Sequence, residues 1–219
     1  MSEQPQVVVR GEAVLTVPPE VADLVATVRS VARDRETALE RCRAGTDAVA
    51  AAVVGAGDAV ETAETGMVSV QEQWQEKGPP MPTATVETRL VLSRLEVAGD
   101  LVVALGRLDD VSVAGPFWRL RPDSRVPEEA RLAAIDDAVR RARLYAGAFG
   151  AEITGLVEIA DAGLSRAGRA RLGGESLGVA AAFEASAPRL ELTPQRLQVH
   201  GSVEVRFSMS VPDPEVFRR

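Results

Sequence analysis

The chain has 219 residues, is 46% hydrophobic, and sets 25 Lys+Arg against 32 Asp+Glu for a formal net charge of −7. That is enough apolar chain to bury a sizeable core, while the acidic balance argues against a general nucleic-acid binder or docking on anionic membranes. One cysteine and one histidine leave no intrachain disulfide, no cysteine cage and no multi-histidine metal site, and no run approaches the ~18 apolar residues of a membrane span.

Met1 to Gln6 are polar, without a basic stretch and apolar core ahead of them. The chain therefore reads as lacking a secretory signal, and as cytoplasmic. Val7 to Val17 alternates, with Val7, Val9, Gly11, Ala13, Leu15 and Val17 on one face, the period of a β-strand. Pro18-Pro19 ends it. A second strand from about Val21 to Val31 is expected to pair with the first as a hairpin.

Asp34 is placed to cap a helix over 35–54, with Leu39, Cys42, Val49 and Val53 along one stripe and Gly55 and Gly57 as the stop. Gly45 weakens that helix by about 1 kcal/mol relative to alanine. Strands follow at 66–75 and 83–97, separated by the turn Lys77-Gly78-Pro79-Pro80-Met81-Pro82. A short helix over 100–108 and a strand over 111–121 come next. The helix at 127–149 has Pro127 in its first turn and Glu128 and Glu129 at the positive end of its dipole. Its apolar face is read as Leu132, Ile135, Val139, Ala142, Ala146 and Phe149, and Gly150 closes it. A strand over 152–160 follows.

Residues 161–188 are rich in Ala, Gly and Ser, carry Arg166, Arg169 and Arg171, and show no sustained period. A loop this long inside a compact domain is uncommon, and is read here as a flexible insertion. Then Leu197 to Val211 alternates without a break, apolar residues at odd positions and Gln198, His200, Ser202, Glu204, Arg206, Ser208 and Ser210 at even ones. Fifteen residues make about 50 Å of strand. One face demands a protein cover and the other meets solvent or a polar partner, the pattern of an antiparallel sheet with helices on one side. Gly11 and Gly201 each follow a valine and a polar residue in mid-strand, where glycine marks a bulge or a close backbone approach. Pairing of the two terminal strands through these glycines is expected.

No set of nucleophile, base and orienting group emerges. His200 and Ser202 share a strand face at i, i+2, about 7 Å apart, a poor base–nucleophile pair. His200 is therefore read as a solvated or interface side chain. Cys42, on the apolar stripe of its helix, reads as a buried small hydrophobe. Asp136 with Arg140, and Asp137 with Arg141, have the i, i+4 spacing of surface ion pairs. Gly173-Gly174-Glu175-Ser176 has the glycines of a phosphate loop without its lysine or buried strand. Aromatics are scarce, 4% of the chain, so Trp74, near a strand end before a proline turn, stands out as a partner anchor. Of Phe117 and Trp118, strand alternation sends one inward.

The opening Val7-Val8-Val9-Arg10-Gly11-Glu12-Ala13, then Pro18-Pro19-Glu20, and above all the alanine-rich Ala133 to Gly150 followed by Gly155-Leu156-Val157-Glu158-Ile159, resemble the SIMPL-domain family, a domain of unknown function. Ala13 replaces the second glycine usual at the start of that family. None of these motifs is catalytic, so the resemblance implies fold more than chemistry. It implies relatives that are bacterial, exported and in part stress-related or immunogenic, a mammalian adaptor for a Pelle-like kinase, and homo-oligomers in some members.

The fold expected is α+β: a mostly antiparallel sheet of about seven or eight strands with about three helices packed on one face, forming a single domain over 1–219. The function expected is a non-enzymatic interaction or scaffold protein, self-associating and linked to stress response, with no cofactor, metal or nucleic acid. Trp74, Arg166, Arg169, Arg171 and His200 are its candidate interface residues. The alternative is a small-molecule binding protein whose cleft, closed by the arginine-bearing loop, holds an anionic ligand.

Overall fold

The computed structural model describes residues 4–74, 79–161 and 190–218. The fold is α+β. Among the described residues, seven strands lie in two antiparallel sheets accompanied by three α-helices. The chain divides into two compact units: residues up to 17, 123–161 and 198–218 form a terminal unit, and residues 18–122 with 190–197 an inserted one.

In the inserted unit, strands β2 (Val21–Val31), β3 (Val60–Gln73), β4 (Met81–Leu92) and β5 (Val111–Arg119) run in the order β3-β4-β2-β5. Helices α1 (Arg35–Gly55) and α2 (Ala98–Gly106) belong to the same unit. Asp34 caps α1 as its position demands: its Oδ1 accepts from the Thr37 backbone N–H at 2.8 Å and its Oδ2 from the Thr37 hydroxyl at 2.9 Å. Leu24, Leu90, Leu92 and Leu105 are fully buried in this unit, each contributing about 1.5–3 kcal/mol by leaving water. The helix stripe is Ala38, Cys42 and Val49, with Leu39 outside it. Small residues face inward because α1 comes very close to the sheet. A Cβ on Gly45 would stand 2.5 Å from Val28 Cγ1, which gives the helix-weakening glycine its packing reason.

In the terminal unit, β1 (Gln6–Val17), β6 (Ile153–Asp161) and β7 (Leu197–Met209) form a sheet of order β1-β7-β6, with α3 (Val126–Ala148) beside it. The two terminal strands are therefore neighbours, as expected. The hairpin expected between β1 and β2 does not form: β1 pairs with β7, and β2 pairs with β4 and β5. Pro18-Pro19 ends a strand without turning the chain back along it.

The inward face of α3 also differs from the periodic reading. Ala130, Ala134, Ala138, Ala142 and Ala146 are buried, whereas Leu132 and Phe149 are exposed. Strand glycines decide this. Cβ atoms built on Gly11 and Gly201 would fall 1.9 Å from the Ala134 carbonyl oxygen and 2.0 Å from that of Ala130. With the sheet that close, only methyl groups fit beneath the helix.

Two boundaries move by several residues. β3 starts at Val60, six residues before the periodic signal, because Glu61-Thr62-Ala63-Glu64-Thr65 forms edge strand exposed on both faces. β4 stops at Leu92, and Leu95–Val97 is a 3₁₀ turn leading into α2. Of the adjacent aromatics, Trp118 packs on the core and Phe117 is exposed.

Candidate functional site

Of the residues singled out in the sequence, Trp74 is 80% exposed, directly after β3. His200 is exposed on β7, and its imidazole has no partner among the described residues. Arg166, Arg169 and Arg171, together with Gly173-Gly174-Glu175-Ser176 and nearly all of the expected flexible insertion, lie outside the described residues. Cys42 is buried. Its thiol sits 3.9 Å from the Val28 carbonyl oxygen, and burial, then the charge of Asp110, pushes its pKa up. A thiol so placed is not primed for nucleophilic work.

The helix carboxylates behave differently from free surface pairs. Asp137 is only 5% exposed. It pairs with Arg141 at 2.9 Å and also with Arg140, which turns to Asp137 rather than to Asp136. Its Oδ2 accepts the Glu12 backbone N–H at 3.1 Å. Glu12 lies on β1, an edge strand, so this acid closes one edge donor.

The other edges are blunted too. β6 carries register shifts at Ile153/Gly155 and Leu156/Glu158, and β3 at Val60/Thr62 and Thr65/Val68. β5 contains the cis Gly115–Pro116 bond, with Gly115 at φ 114°, a conformation that favours glycine. Bulges, prolines and acids on an edge all oppose backbone pairing with another chain. What these edges offer a partner is their side chains.

On β6 those side chains are apolar. Ile153, Leu156 and Ile159 recur every third residue, a spacing that fits neither strand alternation nor a helix of this length. The two bulges convert it into one face: these residues stand opposite Met209, Phe207 and Val205 of β7. They thus share the side of the sheet on which Phe207 and Val205 pack against Ala134 and Ala138. A helix about 10 Å wide spans roughly two strands at 4.8 Å spacing, and α3 is seated on the glycines of β1 and β7. Leu156 and Ile159 remain 61% and 53% exposed, and Leu132 on the helix 55%. Beside Ile159 runs a cleft of about 300 Å³ lined by Arg131, Ile135, Ala160, Asp161, Ser202 and Val203. Val68, on edge strand β3 of the inserted unit, is similarly uncovered.

A second cleft, about 460 Å³, lies between the end of α1 and α2, walled by Ala52, Ala56, Val97, Leu101 and Ala104. Among the described residues its one charged lining side chain is Asp100, an anion. Where the chain enters and leaves the inserted unit, Glu20 N–H donates to the Arg119 carbonyl at 3.0 Å and Arg121 N–H to Glu20 Oε2 at 2.7 Å. Arg119 Nε reaches Asp23 at 2.7 Å, and Arg121 holds both oxygens of Glu61. The hydrogen bond from Arg121 keeps the Glu61 carboxyl below the usual carboxylate range, and Asp23 raises Arg119. This network ties two chain segments side by side.

Among the described residues no three His, Cys, Asp or Glu side chains cluster as metal ligands, and no helix is long and apolar enough to cross a membrane. A comparison with the curated proteins finds no match. The model of the SIMPL family, described as a protein of unknown function (DUF541), matches residues 7–207. The chain belongs to the SIMPL family.

Proposed function

We propose that the protein is a non-enzymatic interaction or scaffold protein that self-associates through apolar side-chain faces. The observation supporting this is the uncovered apolar side of β6, where Leu156 and Ile159 stand bare on the side of the sheet that carries Phe207 and Val205. Single exposed apolar residues are ordinary, but a contiguous set on one face of a packed layer marks a contact surface. The bulged edges favour association through that face over extension of the sheets. Light scattering and sedimentation of the pure full-length chain at tens of micromolar test the reading. A species larger than one chain, growing with concentration, is expected; a strict monomer throughout overturns it.

A further inference from the structure

The cleft beside β6 has walls of two kinds. Its helix wall carries Arg131 and Ile135, and its strand wall Ile159 and Asp161. Neither Arg131 nor Asp161 has an ion-pair partner among the described residues, whereas Arg140 and Arg141 of the same helix reach for Asp137. A floor of Val203 and Ser202, flanked by a cation on one wall and an anion on the other, is self-complementary. A two-fold axis places the helix wall of one copy against the strand wall of the other, so that each contact is made twice.

We infer that this face docks a second copy of the chain, with Arg131 of each copy against Asp161 of the other and Ile135 and Ile159 between them. The inference rests on the self-association proposed above and assigns it a surface and a symmetry. Apolar side chains at the centre exclude water, and the two crossed ion pairs at the rim set the register. Like-signed partners oppose every alternative orientation in which helix wall meets helix wall, because Arg131 then faces Arg131.

The test is sedimentation equilibrium of the full-length chain from about 1 to 100 µM, a range that spans weak to moderate dimers. The variants are Arg131→Glu, Asp161→Arg, the double exchange, and Ile159→Asp, each checked for folding by circular dichroism. Both exposed charge reversals are expected to raise the dimer dissociation constant about tenfold or more, Ile159→Asp to abolish dimers, and the double exchange to restore association by re-forming both pairs with signs swapped. Wild-type dimers indifferent to all four variants would overturn the assigned surface and leave self-association standing. A wild-type monomer at every concentration would overturn both.

Discussion

A Cβ atom on Gly11 would stand 1.9 Å from the carbonyl oxygen of Ala134. Helix α3 therefore lies directly on the backbone of the sheet, and the terminal unit has no room for even a methyl group at that crossing. Replacing Gly11 or Gly201 by alanine is expected to cost about 1–3 kcal/mol or more by forcing the helix away. Gly147→Ala in the same helix meets nothing within 4 Å and is expected to stabilise by about 0.5–1 kcal/mol. Urea unfolding midpoints of the three variants check the contrast.

Asp137→Ala leaves the Glu12 edge N–H without its acceptor and frees Arg140 and Arg141. Both arginines are well solvated, so most of the loss comes from the partly buried hydrogen bond, about 1 kcal/mol. Amide hydrogen exchange at Glu12 should accelerate in this variant more than at its strand neighbours.

Cys42 is expected to be unreactive while the inserted unit is folded. Burial both hides the thiol and raises its pKa. Labelling by a thiol reagent at mildly alkaline pH should run at least about a hundredfold slower in the native protein than in denaturant. Rapid native labelling would contradict the packing of α1 on Val28.

Asp34 and Glu61 both have carboxyl pKa values held below the ordinary range, Asp34 by the Thr37 hydrogen bonds and Glu61 by Arg121. Lowered folded-state values mean that their contributions are complete above the ordinary carboxylate pKa and fade as pH falls through the lowered ones. Thermal melts should show Tm falling on acidification below about pH 4. In Asp34→Asn combined with Glu61→Gln, the acid slope should be shallower while Tm at neutral pH changes little, since asparagine caps a helix about as well as aspartate and the Glu61–Arg121 pair is solvent-accessible.

Strand and helix identities were legible in the sequence wherever one face of an element was buried by its own unit. β2, α1, β6 and β7 sit within about two residues of where their periodicity and caps put them. The exposed start of β3 was not legible, since a segment with no buried face has no period to read. The apolar face of β6 was hidden for a related reason. Its residues recur by three, and only the bulges against β7 bring them to one side. Trp74 was marked by its rarity and its place before prolines, and it is exposed.

Local chemistry in the chain was sufficient to specify the elements, the Asp34 cap, the inert thiol and the close approach at Gly11 and Gly201, because each depends on neighbours a few residues away or on the size of a single side chain. Partnership of strands was decided only in three dimensions: β1 joins β7 across nearly the whole chain while β2 joins β4 and β5. So was the inward face of α3, where helix–sheet distance, set by two distant glycines, selected alanines over the larger Leu132 and left an apolar face on β6 bare.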